Sequence, residues 1–350
     1  MRIICEAHAK INWSLNILGV REDGYHELDM LMQGIELCDE LSFERARWLT
    51  LTVDGQPLPV GERNLVVRAA NALNDYMGQR NGARIRLTKR IPARAGLGGG
   101  SADCAAALLA LNRLWNLRLP MPALMEIGAK LGADVPFCIL GGLARVGGFG
   151  ERLTPLPDAP SIPLAMVTPG DGLSTAAVFR AWDGEHRPDG AKASPETPEI
   201  SEGGGAALPF SASRGGSYLD EETALDGAQP RRAEAPREGN AGKEGRLSCE
   251  RLAGREPCGD MLALADALRR RDFGRAQALS VNSLEAAAIR LLPAVGEAME
   301  AFRAAGAPFV RMSGSGSTVF AAFETEAEAE RAVERVPGAI LTRTAAARAE

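Results

Sequence analysis

The spacing of apolar positions changes period several times along the chain, and each change marks a different element. From Ile11 to Ile17 the pattern alternates: Ile11, Trp13, Leu15 and Ile17 share one face, while Asn12, Ser14 and Asn16 share the other with Lys10. A period of two predicts a half-buried strand. Leu65, Ala69, Ala72, Leu73 and Tyr76 recur at helical spacing and predict a helix over 64–76. A strand over 83–89 and a helix over 102–115 follow. A third helix, over 122–131, should end at Gly132 as a left-handed cap. Helices are predicted again at 261–268, at 294–305 between Pro293 and Gly306, and at 326–336 with an acidic first turn. Between them, a strand over 310–323 is interrupted by Ser313-Gly314-Ser315-Gly316-Ser317. Strands and helices without regular alternation predict an α+β fold rather than a doubly wound parallel sheet.

Periodicity fails over 186–258. Only about seven of its residues are Leu, Ile, Val or Phe, too few for a packed core, while Gly, Ala and Pro abound. This stretch is expected to be a disordered, tolerated surface insertion rather than a tether for a partner, with short helix at most near 219–225 or 246–251. The rest of the 350 residues would suit two modest domains.

Forty basic against 45 acidic residues give a net charge of −5. That leaves no global basic field for nucleic acid or anionic lipid. The six cysteines include no C-x-x-C pair, and several sit in apolar runs, as reduced structural thiols would. No apolar run follows Arg2 to act as a signal, and nowhere do 18 apolar residues follow one another, so a cytoplasmic location is expected.

The densest of the 39 glycines, in Gly96-Leu97-Gly98-Gly99-Gly100-Ser101, lie between a predicted strand and a predicted helix. Glycine tolerates positive φ, so successive N–H groups can turn inward, and the helix start adds unsatisfied N–H groups and a positive dipole end. The result is a phosphate cradle, although a ligand-free turn can carry the same letters. Ser101-Ala102 stands where a Walker A loop needs Lys-Ser or Lys-Thr, and the acidic residue of a dinucleotide fingerprint is missing. Ser101 at the helix start could equally be an N-cap.

Three motifs in order then become specific. Pro92-Ala93-Arg94-Ala95-Gly96-Leu97-Gly98-Gly99-Gly100-Ser101-Ala102 resembles the phosphate-binding motif of the GHMP kinase superfamily. Ala7-His8-Ala9-Lys10-Ile11-Asn12 resembles its N-terminal motif, with His8 in place of proline, and Met312 to Phe320 its C-terminal one, with Ser317 in place of proline. Asp23-Gly24-Tyr25-His26-Glu27-Leu28 and Leu131-Gly132-Ala133-Asp134-Val135-Pro136-Phe137 resemble the branch whose acceptor carries a cytidine diphosphate group, in the non-mevalonate route to isoprenoids. The resemblance covers about 1–185 and 260–340.

It implies a two-domain GHMP kinase fold: an N-terminal ribosomal protein S5 domain 2-like domain over 1–158, and a C-terminal ferredoxin-like domain over 159–345 that carries the insertion. It also implies a cytoplasmic small-molecule kinase, monomeric or homodimeric, using ATP and Mg²⁺. Residues 92–102 would wrap the ATP phosphates, with Ser101 near the metal and Asn64 and Lys89 toward the adenine. Asp134 would be the general base and Lys10 its partner. Tyr25, His26 and Phe179 would hold the cytosine, and Asn12 and Thr175, with Asp134, the polar part of the acceptor. His8 is expected to be a packing or hydrogen-bonding substitution. The alternatives are a superfamily kinase acting on mevalonate, homoserine or a sugar, and a nucleotide-binding protein without catalysis.

Overall fold

The computed structural model describes residues 1–21, 24–186 and 260–347. β1 (Arg2–Val20) lies antiparallel to β2 (His26–Ala46), with Arg2 opposite Glu44 at one end and Val20 opposite His26 at the other. β3 (Thr50–Asp54), α1 (Leu65–Met77), β4 (Gly82–Thr88), α2 (Gly99–Leu114), α3 (Met121–Ala129), α4 (Val135–Leu140), β5 (Leu143–Gly148) and β6 (Arg152–Leu156) complete the first half. The sheet runs β3-β4-β2-β5-β6, with β1 also paired to β2. β7 (Pro163–Val167) and α5 (Thr175–His186) open the second half. It resumes with α6 (Met261–Arg269), α7 (Phe273–Leu279), α8 (Glu285–Leu291), α9 (Ala294–Ala304), β8 (Phe309–Met312), β9 (Val319–Ala322), α10 (Glu326–Arg335) and β10 (Ile340–Arg343). These strands form a second sheet, β10-β7-β9-β8, antiparallel throughout. Sheets of mainly antiparallel strands covered by helices are the expected α+β class. Beyond His186, the expected insertion and its candidate short helices fall outside the described residues.

Local chemistry explains the helix ends. Asn64 caps α1 by accepting the Val66 N–H at 2.9 Å, and Gly78, at φ 61°, closes it. The third helix departs from expectation. α3 ends at Ala129, and Gly132 is absent from the positive-φ residues. Gly132 is instead needed for closeness, since a Cβ there would come 3.3 Å from Val135 and 3.6 Å from the Ser101 hydroxyl.

The first strand is not half-buried either. Lys10, Asn12, Ser14 and Asn16 are as enclosed as the apolar face. The second half of the chain covers them: Leu15 N–H donates to the Val281 carbonyl at 2.7 Å, and Ser14 Oγ exchanges hydrogen bonds with the Val281 backbone. Trp13, on the opposite face, meets Phe309 and Phe320 edge-on at 5.1 and 5.4 Å. Such pairs add about 0.5–1.5 kcal/mol each beyond burial and tie the two sheets together. α2 packs against β1, β2, α1, α3 and α4, its Ala102, Ala105, Ala106 and Ala107 small enough to let these neighbours approach closely. Its N-terminus carries the glycine loop.

Candidate active site

The ladder between β1 and β2 shifts register between His8 and Lys10 and again between Asn12 and Ser14. Bulges re-aim side chains, and here they flank the two polar residues of the N-terminal motif. Lys10 Nζ donates to Asn12 Oδ1 at 2.8 Å and to the Gly96 carbonyl at 2.9 Å, and stands 3.7 Å from Asp134 Oδ2. The Lys10 side chain is 6% exposed and that of Asp134 33%. The ammonium is therefore held from behind while the carboxylate opens outward. Asp134 precedes α4 without using its side chain as a cap, so it is not there as a turn former. His8 Nδ1 pairs with the Ile35 carbonyl at 3.0 Å, a hydrogen-bonding role away from the acid–base pair.

α2 begins at Gly99, and Gly98, at φ 68°, occupies the cap position. Ser101 is thus the third helical residue and not the N-cap, because the loop's left-handed turn at Gly98 starts the helix three residues earlier than the sequence suggests. No side chain caps this end. The first-turn N–H groups have no intrahelical acceptor and, with the dipole, form an anion-seeking surface. A Cβ on Gly98 would lie 3.1 Å from Lys10 Cγ and 3.6 Å from Asp134 Oδ2. Only bare backbone fits over the pair.

The C-terminal motif closes the other side. Ser313 Oγ donates to the same Gly96 carbonyl at 3.0 Å, and the Thr318 N–H to the Ala95 carbonyl at 3.1 Å. A Cβ on Gly314 would stand 3.2 Å from Lys10 Nζ. Asn282, which sequence reasoning missed, holds this turn by donating to the Met312 and Gly314 carbonyls at 2.9 Å each. Ser317 Oγ donates to the Pro169 carbonyl at 2.7 Å. The Arg94 carbonyl accepts the Leu173 N–H at 3.1 Å, docking the approach to α5 onto the glycine loop.

A second lysine lies behind the loop. Lys89 Nζ donates to Asp39 Oδ2 and, at 2.8 Å, to Asp103 Oδ2, with all three side chains at most 5% exposed. Asp39 Oδ1 also accepts the N–H groups of Arg90 and Ile91. Burial pushes the Asp103 carboxyl up to about 8, against the attraction of Lys89 and reinforced by the charge of Asp39. Lys89 is pulled down by burial, but the two carboxylates outweigh this and its pKa is raised. Asn64 is likewise engaged within the protein, capping α1 and donating to the Pro59 carbonyl at 2.8 Å.

On the acceptor side, His26 faces Phe179 at 4.6 Å between ring centres, and its Nε2–H donates a hydrogen bond to Asp183 Oδ1 at 2.9 Å. Tyr25 lies 5.6 Å from Phe149, and Thr175 hydrogen bonds Ser315 at 2.9 Å. Phe179, Trp182 and Asp183 touch His26 from one stripe of α5, a helix the sequence reading did not contain. Of the expected residues, the structure brings Lys10, Asn12, Gly96, Gly98 and Asp134 together. Tyr25, with Phe149, and the His26–Phe179 pair form separate ring contacts. Cys38, Cys104 and Cys138 are buried, and burial raises the pKa of Cys104.

A glycine loop on a helix start, a Lys–Asp pair beneath it and a second glycine turn closing over both define a small-molecule kinase of the GHMP class. The GHMP kinases N terminal domain family matches residues 64–142, and the GHMP kinases C terminal family matches 264–340. The chain is 49% identical over 210 residues to the 4-diphosphocytidyl-2-C-methyl-D-erythritol kinase of Pelotomaculum thermopropionicum, covering 59% of this chain and 73% of that one. It is 49% identical over 178 residues to the enzyme of the same name from Moorella thermoacetica, 51% of this chain and 62% of that one. A crystal structure of 4-(cytidine 5'-diphospho)-2C-methyl-D-erythritol kinase superposes with a TM-score of 0.69 at 32% identity, covering 98% and 99% of the two chains. The chain belongs to the 4-diphosphocytidyl-2-C-methyl-D-erythritol kinase family.

Proposed function

We propose that this kinase transfers the γ-phosphoryl group of ATP to the 2-hydroxyl of 4-diphosphocytidyl-2-C-methyl-D-erythritol, a step of isoprenoid biosynthesis by the non-mevalonate route. The observation that carries the reading is the convergence of Lys10, Gly96, Gly98, Asp134 and Gly314 on one point. Asp134, open to one side, takes the hydroxyl proton as the oxygen forms its bond to phosphorus and the bond to the ADP oxygen breaks. General-base assistance of this kind contributes roughly 10²–10⁴-fold. Lys10 offsets charge in the transition state. Bound at the loop, ATP supplies the phosphoryl group; residues 92–102 align it through backbone N–H groups rather than cationic side chains.

Among the described residues no cluster of three His, Cys, Asp or Glu could hold a metal by itself. The Ser101 hydroxyl, in the first turn of α2, suits an Mg²⁺ carried in chiefly by phosphate oxygens. Tyr25 and Phe179 stack on the cytosine, the His26 main chain reads its edge, and Asn12 and Thr175 hold the polar acceptor. Asn64 and Lys89 act from behind, through the start of α1 and the glycine loop. The boundary between the two domains falls at 158/159, in the link between β6 and β7. No described helix is long and apolar enough to cross a membrane, in keeping with a cytoplasmic enzyme, monomeric or homodimeric.

The test offers the purified chain ATP·Mg and the cytidine substrate and follows ADP release, with Asp134→Asn alongside. Turnover in the parent that drops by about 10²-fold or more in the variant supports the base. Undiminished turnover removes Asp134 from that role.

A further inference from the structure

The Lys89 cluster joins three parts of the chain that bracket the glycine loop. Asp39 comes from β2, Lys89 directly follows β4 just before the loop, and Asp103 stands at the start of the second turn of α2 just after it. Asp39 also holds the backbone of Arg90 and Ile91, the two residues that lead into Pro92. The cluster touches the loop itself: a Cβ on Gly99 would meet Lys89 Nζ at 3.3 Å and Ile91 Cγ2 at 3.0 Å. The floor beneath the helix start is thus an ammonium pinned between two carboxylates.

Charge and burial decide what such a lysine can do. Its Nζ already serves two acidic acceptors and is almost wholly enclosed, and one positive charge against two acidic groups offers a phosphate no net attraction. A lysine that gripped a nucleotide would keep a donor free on the open side. Here two of the three N–H donors turn inward to the carboxyl groups of Asp39 and Asp103, and a side chain only 3% exposed has no open side from which the third could reach a ligand.

We propose that Lys89, Asp39 and Asp103 are positioning residues that brace the glycine loop in its ATP-binding shape, so that they set affinity for ATP without touching it. The proposal rests on the reading that this loop holds ATP. Both ends of the loop are fixed to one buried point, and its N–H groups are held in place before the nucleotide arrives. Preorganisation of this kind lowers the ordering that binding must otherwise bring about.

The geometry makes an asymmetric demand on two isosteric changes. In Asp39→Asn, Oδ1 must keep accepting the Arg90 and Ile91 N–H groups, so the new amide NH₂ is turned against the Lys89 ammonium, donor against donor. In Asp103→Asn, Oδ1 of the parent has no partner among the described residues, so the amide can place its oxygen on Lys89 and its NH₂ at the vacant position. The experiment measures KM for ATP·Mg, KM for the cytidine substrate, kcat and melting temperature for the parent, Asp39→Asn, Asp103→Asn and Asp103→Ala.

Asp39→Asn and Asp103→Ala should raise KM for ATP by about tenfold or more, with KM for the cytidine substrate within about twofold; Asp103→Asn should restore most of the loss seen in Asp103→Ala. Folded variants that lose melting temperature alone, or whose two KM values rise together, would overturn the brace. Should Asp39→Asn not yield folded protein, the Asp103→Ala and Asp103→Asn pair carries the same comparison. A parent chain that does not bind ATP would instead sink the kinase reading itself.

Discussion

Lys10 and Lys89 both meet carboxylates beside the glycine loop, yet their surroundings divide their work. Lys10 stands 3.7 Å from a carboxylate that is one-third exposed, and its hydrogen bonds go to a neutral amide and a backbone carbonyl. Lys89 is enclosed with the carboxyl groups of Asp39, which holds the Arg90 and Ile91 backbone before the loop, and Asp103, which follows it. Phosphoryl transfer needs a carboxylate that can reach a substrate hydroxyl, which only the first arrangement provides. The second cannot exchange protons with a ligand it never meets. Pairing a lysine with an aspartate therefore says little until the open side is known.

Several variants would break or sharpen that contrast. The largest effect is expected at the open pair: Asp134→Asn should lower kcat by roughly 10²–10⁴-fold in a steady-state ADP-release assay, with little change in melting temperature. Next comes Lys89→Met, which strands the buried Asp39 carboxylate beside Asp103 and should cost about 3–5 kcal/mol in urea denaturation, whereas Lys10→Met leaves Asp134 access to water and should cost less. Tyr25→Ala should weaken binding of the cytidine substrate by about 1–3 kcal/mol, if its ring carries the base, and leave KM for ATP nearly unchanged. A kinase for a substrate without a base would show no such split.

The last effect is spread over several pH units. Asp103 is raised to about 8 by burial, so the folded chain holds a proton that the unfolded chain releases near 3.8. Stability should fall as pH rises from about 4 to about 8 and then level off, because above both values neither state carries the proton. Denaturant titrations of the ligand-free parent and Asp103→Asn at intervals between pH 5 and 9 should show this slope in the parent and its flattening in the variant. Parallel curves would mean that Lys89 holds Asp103 ionised throughout.

The sequence made the open site legible and hid the closed one. Three motifs in order carried Lys10, the glycine loop and the second glycine turn, because phosphate cradles need bare backbone wherever they occur, and a separate motif over 131–137 carried Asp134. Helix α1 was readable for the same local reason, with Asn64 and Gly78 acting on their own neighbours. Asp39 gave no signal, since it lies 50 residues from Lys89 and meets it only through sheet pairing. Ser101 looked like a cap because the left-handed turn at Gly98 is invisible in a run of glycines. The alternation in β1 suggested a wet face, which the 281–283 segment covers. His26 was expected at the substrate, and its partner Asp183 belongs to α5, whose pattern did not stand out because it buries only Val178 and Trp182.

The most direct measurement sets Lys10→Met beside Lys89→Met and records kcat, KM for ATP and unfolding free energy for each. A deep loss of kcat with near-parent stability in the first, and a loss of stability with weakened ATP affinity in the second, is the outcome the two geometries require. The same pattern in both variants, or the two patterns exchanged, would contradict the division of labour between the open and closed lysines.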